Sequence, residues 1–182
     1  MSTGAAGING RAACIRVLVW LALGAAIFHF GPYATLTNSG RTALLEESPA
    51  YTSSQLARQT DRLGVAGRAA YIRFQALDTL MAALTAWAAL GMVRWSLGRG
   101  APAAWARRWM PRAPWALFVA ECLENALLAL CTAMVASPPD WAMVLAPIAS
   151  SIKFAALLGT LVTLVICLGR VAWCRWHVQV RP

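Results

Sequence analysis

Residues 115–136 form an apolar run long enough to cross a bilayer, for which about 20 residues are needed, yet Glu121, Glu124 and Asn125 stand in its middle. At 3.6 residues per turn, positions i, i+3 and i+4 share one helical face. The three polar groups therefore point the same way, with Phe118 and Leu128 above and below them. A charge at membrane depth is costly, so such residues turn toward a protein interior or a water-filled cavity. This run needs other helices around it, and those helices must offer polar groups of their own.

Three more apolar runs meet that need. Of 182 residues, 59% are hydrophobic and 13% charged, against about 25% charged in a soluble domain. The reading is an all-α integral membrane four-helix bundle, one domain over residues 1–182, with spans at about 12–30, 69–97, 115–136 and 141–169. Arg11 and Arg16 ahead of an apolar stretch resemble a signal peptide. The run nevertheless continues through Phe28 and Phe30, so an uncleaved first span is expected. The long polar segment 31–68 is expected to place short helices across the outer face of the bundle. One would cover 41–47 behind an Asn38 or Ser39 cap, and a second would start at Thr52 or Ser53.

The net charge of +9 invites a nucleic-acid reading, but the arginines sit between apolar segments and form no continuous basic face, so no nucleic-acid partner is expected. The 98–114 loop and the tail carry arginines without acids and are flanked by tryptophans. The other two connections carry Glu46, Glu47, Asp61 and Asp140 beside four arginines. By the positive-inside rule both termini are cytoplasmic, and a bacterial inner membrane is the expected location. None of the five cysteines lies in an outer segment and no C-x-x-C occurs, which argues against a disulfide framework. Cys122, Cys131 and Cys167 read as small core residues, while Cys14 and Cys174 lie near membrane boundaries.

The second span has a polar stripe of Tyr71, Gln75, Asp78 and Thr85, with Phe74 to one side. The fourth holds Lys153, the single lysine of the chain. With a rise of about 1.5 Å per residue, Glu124 and Lys153 each lie about 18 Å from the 137–140 turn, at matched depth on antiparallel neighbours. Asp78 lies about 12 Å down its own span. The expected cluster is Asp78, Glu121, Glu124, Asn125 and Lys153, with Arg73 above it. Three acids against two bases leave one carboxyl in excess, which makes Glu121 or Glu124 a proton-holding candidate.

Leu77-Asp78 on an apolar helix, then Glu121-Cys122-Leu123-Glu124-Asn125, a proline-containing turn and Lys153 on the last span resemble a group of uncharacterised bacterial four-span membrane proteins. In that group an acid precedes a Leu-Glu-Asn motif and a lysine follows in the last helix. The resemblance covers about residues 69–160 and departs in having Glu at 121 where Asp is expected. It implies that Glu121, Glu124, Asn125 and Lys153 form a site, and it implies no activity.

Three functions stay open at this level. The first is a carrier-like protein that binds a small molecule, lipid or proton at the charged cluster and pairs with a second copy. The second is an intramembrane lipid-modifying enzyme with Glu121 and Glu124 as general acid and base. The third is an accessory protein in which the cluster only fixes helix register. No cofactor is expected, and the absence of a mid-membrane His argues against a metal site.

Overall fold

The structure is a computed structural model that describes residues 9–38, 44–99 and 103–179. Every regular element among the described residues is helical. Helix α1 spans Gly10–Phe30, α2 Pro32–Asn38, α3 Ser53–Leu97, α4 Ala104–Trp109, α5 Arg112–Ala133 and α6 Asp140–Gln179, with a 3-10 turn at Leu45–Glu47. Four of these helices are long and apolar enough to cross a membrane, as expected of a helical membrane bundle.

Local chemistry sets the boundaries. Asn9 caps α1 by accepting from the Ala12 amide at 2.7 Å. Gly31 ends it, giving its N–H to the Ile27 carbonyl at 2.9 Å. Pro32 does not simply stop the chain; it opens α2 at a first-turn position, where its missing N–H costs nothing. Thr52 and Gln55 form a reciprocal capping box at the start of α3.

The second span differs most from expectation. The helix capped by Thr52 does not lie apart but runs into the span, giving 45 residues. A straight helix of that length would measure about 67 Å, twice the roughly 30 Å of a hydrocarbon core. Gly64 breaks it, with φ 60° and ψ −178°. That region is open in practice only to glycine, so the amphipathic 53–63 stretch can stay on the core, burying Leu56 and Leu63.

Of the helix expected at 41–47, residues 39–43 lie outside the described residues, and the remainder is only the Leu45–Glu47 turn. The 98–114 connection carries α4, and α6 runs past the expected end at 169.

Helix α5 packs against both α3 and α6, which also touch each other, while α1 lies along α3 and α2. Helices α3 and α5 bury the largest share of their spans, α1 the smallest. On α6 the buried stripe is Ala142, Ala146, Ala149, Lys153, Thr160 and Cys167. Small residues at such spacing let helices approach closely, and they put Lys153 on the buried face. On α5 the stripe is Leu117, Ala120, Glu124, Leu127, Leu128 and Cys131. The outward faces of α1 and α6 expose Leu18, Leu21, Ile152, Leu158, Leu161 and Val165. Patches of that kind are rare on water-soluble monomers and suit lipid contact.

Candidate functional site

Lys153 is the centre. Its Nζ lies 2.5 Å from Glu124 Oε2 and 3.9 Å from Glu121 Oε2. The expected match in depth between α5 and α6 is therefore met. Glu124 is fully buried and Lys153 nearly so, whereas Glu121 is partly exposed. On the α3 side, Asn125 Nδ2 donates to Asp78 Oδ2 at 3.1 Å and to Thr79 Oγ1 at 3.2 Å. Asp78, Glu121, Glu124, Asn125 and Lys153 are thus brought together by three helices.

Arg73 is not among them. Tyr71, Phe74 and Gln75 take the buried face of α3, and position 73 falls outside that arc, so its side chain is exposed. The second base expected above the cluster is absent from it.

An unexpected acid takes part instead. Glu46, counted in the sequence as an outer-loop residue, is buried. Its Oε2 accepts from the Tyr71 hydroxyl at 2.7 Å and its Oε1 from Gln75 Nε2 at 3.1 Å. Its backbone carbonyl accepts from Lys153 Nζ at 2.8 Å. The 44–51 stretch does not lie across the outside of the bundle; it sits between α3 and α6.

Side chains of α6 hold that stretch in place. Non-helical backbone at membrane depth is tolerated only where protein satisfies it. Ser150 Oγ donates to the Ser48 carbonyl at 3.1 Å and Ser151 Oγ to the Pro49 carbonyl at 3.2 Å. With Lys153 on Glu46, three α6 donors serve three loop carbonyls. From α3, Gln59 Oε1 accepts the Leu45 amide at 3.1 Å. Leu44 and Tyr51 are buried in the same core as Leu56, Phe74 and Leu128.

A proline gap adds one more link. Pro147 has no N–H for the Met143 carbonyl four residues earlier. Ser53 Oγ donates to that carbonyl at 2.8 Å, tying the start of α3 to α6.

The electrostatics follow from this count. Glu121 and Glu124 flank the one ammonium, and the carboxyl groups of Asp78 and Glu46 are tied into the same network through Asn125, Tyr71 and Gln75. Burial pushes the Glu46 carboxyl up to about 7, Glu124 and Asp78 add to the push, and the Tyr71 hydrogen bond opposes it. Burial likewise pushes the Tyr51 phenol well above its ordinary value, so it stays neutral.

Several buried acceptors carry no hydrogen bond among the described residues: Gln75 Oε1, Glu124 Oε1 and Asn125 Oδ1. Ser150 spends its one proton on the Ser48 carbonyl, so it has none for Glu124. Among the described residues no group of three or more His, Cys, Asp or Glu side chains is placed to hold a metal ion.

Glu46 and its loop are what reading the sequence missed. The only local sign is the Leu44-Leu45 pair beside Glu46, an apolar anchor inside an otherwise polar connection. No family model, curated protein or solved structure matches the chain.

Proposed function

We propose that the chain is a multi-pass membrane protein that binds a proton, or the positively charged group of a small molecule or lipid, at the Lys153 cluster, in the manner of a carrier. One observation carries this reading. Glu121 and Glu124 meet the single ammonium of Lys153, and the carboxyl groups of Asp78 and Glu46 are held beside them by Asn125, Tyr71 and Gln75, while Arg73 lies outside. Fully ionised, the cluster would hold three uncompensated negative charges in a low-dielectric interior, where unpaired charge is strongly unfavourable. Taking up protons or a cation relieves that imbalance. Intramembrane acids in excess of their partners mark proton and ion pathways.

The location belongs to the same proposal. Arginines at 99, 107, 108 and 112 lie between the second and third spans without an acid, whereas Glu47 precedes the second span and Asp140 opens the fourth. A bacterial inner membrane with both termini cytoplasmic accords with that asymmetry. The exposed apolar faces of α1 and α6 offer surfaces on which a second copy would pack.

A second reading has its own support. Lys153 joins α5, α6 and the loop in one network, as a register lock would. Native mass spectrometry with extraction of bound molecules separates the two, using wild type and Glu121→Gln. Glu121 is the least buried of the paired acids, so the variant keeps the Lys153–Glu124 contact. A cationic species retained by wild type and lost by the variant, or a change in protons taken up on acidification, supports binding. Identical proton uptake and no retained molecule in either protein would leave only the lock.

A further inference from the structure

Three unused polar atoms around Lys153 are acceptor oxygens, and this narrows the ligand. Gln75 gives Nε2 to Glu46 and keeps Oε1 free of any hydrogen bond among the described residues. Asn125 gives Nδ2 to Asp78 and Thr79 and keeps Oδ1 free. Both side chains are 1% exposed. Each is anchored by its donor end to a carboxylate of the cluster, which fixes which end is the oxygen. Glu124 Oε1 is a third. Most nearby donors are engaged, Lys153 by Glu124 and the Glu46 carbonyl and Tyr71 by Glu46, while the Tyr51 hydroxyl and Gln59 Nε2 have no partner among the described residues.

A buried acceptor without a donor costs about 1–3 kcal/mol, so a ligand that brings only donors gains at every contact. An anion would meet an excess of carboxyl groups, Glu121 and Glu124 against Lys153 with Asp78 beside Asn125. A divalent ion needs several anionic oxygens converging at short range, and no such group of side chains stands among the described residues. A primary ammonium has three N–H bonds and one positive charge. It matches neutral amide oxygens beside an excess of carboxylate.

We infer that the cluster binds a primary ammonium group, of a free amine or of a lipid head group, between the Gln75 and Asn125 amide oxygens and the neighbouring carboxylates. The inference rests on the cation-binding reading above and gives the ligand its chemistry.

The test is thermal melting of wild type in phosphatidylcholine nanodiscs at constant ionic strength and pH 8. Methylammonium, tetramethylammonium and sodium chloride are titrated in turn. A saturable stabilisation by methylammonium alone is expected, since a ligand that binds only the native state raises its stability by mass action. Nanodiscs containing phosphatidylethanolamine distinguish the sources. Stabilisation by that lipid without added amine identifies a head group, and its absence a free amine. Gln75→Leu and Asn125→Leu should each weaken methylammonium by on the order of tenfold or more. Equal melting in all three salts, or an equal response to sodium, overturns the ammonium assignment. If the salts are equivalent while the carboxyl groups still take up protons, the site holds protons and the parent reading stands. If neither effect is seen, both fall.

Discussion

The two ends of the bundle are held by different chemistry. Toward the arginine-rich end, α3, α4 and α6 meet through Val93, Ala106, Met110 and Cys167, with one buried polar link, Ser96 Oγ to the Cys167 carbonyl at 2.9 Å. Tryptophans there carry arginine guanidiniums on their faces: Arg99 over Trp95 and Arg112 over Trp109, each 4.4 Å from the ring centroid. From the middle toward the α5–α6 turn, α6 instead spends Ser150, Ser151 and Lys153 on the carbonyls of a non-helical loop. The arginine-rich end is held mainly by apolar packing. The polar end needs every donor placed, and it is where carboxyl groups outnumber their cation. Polar side chains that merely held helices together would serve equally at either end. Their concentration around one lysine, with a loop drawn in beside it, points to a site.

The sharpest way to break this contrast is Lys153→Met. It removes the only base from the cluster and the donor to the Glu46 carbonyl together. Breaking a buried pair in this way costs about 3–5 kcal/mol. A melt in detergent should show that loss, and limited proteolysis should find the 44–51 loop newly cleavable. A loss no larger than that from Ser96→Ala would erase the difference between the ends.

Glu46 sharpens the contrast through pH. Its carboxyl is raised to about 7 from 4.5 in the unfolded chain, so the native state binds the proton more tightly. The stability this provides is present in full below pH 4.5 and is lost as pH rises through 7. At about 1.4 kcal/mol per unit, the window is worth on the order of 3 kcal/mol. Melting at stepped pH should show that decline in wild type, and Glu46→Gln should flatten it. An unchanged slope in the variant would place the titration elsewhere.

Gly64→Ala tests the break in α3. An added Cβ meets nothing within 4 Å, so the cost is conformational alone, set by φ 60°. About 1–3 kcal/mol is expected by chemical denaturation. The smallest effects should come from the paired serines. Ser53→Ala leaves the Met143 carbonyl at Pro147 unserved, and Ser96→Ala loses the Cys167 contact. Each should cost about 1 kcal/mol, and Ser53→Ala should also loosen the start of α3 in hydrogen exchange.

Much of this was legible in the sequence because spacing carries it. The Glu121-to-Asn125 face, the antiparallel α5–α6 turn and the shared depth of Glu124 and Lys153 all follow from helical geometry. Asp78 and its stripe follow by the same period. Arg73 did not, because two residues along a helix turn a side chain by about 200°, and only packing shows which arc α3 buries. Glu46 was hidden for another reason. Its place depends on donors 100 or so residues later in the chain, at Ser150 and Lys153. Non-local pairing of a loop leaves no periodic trace. The Gly64 break was equally silent, since a lone glycine in a helical pattern is more often simply tolerated.

Infrared titration of the carboxyl groups in a bilayer, on wild type and Glu46→Gln side by side, tests the excess of acid around Lys153 most directly. A protonated carboxyl band in wild type at neutral pH is predicted, fading on the alkaline side of 7 and reduced in the variant. Carboxyl groups fully ionised at pH 5 in both proteins, four in wild type and three in the variant, would contradict it, because the cluster would then carry its charge without a proton.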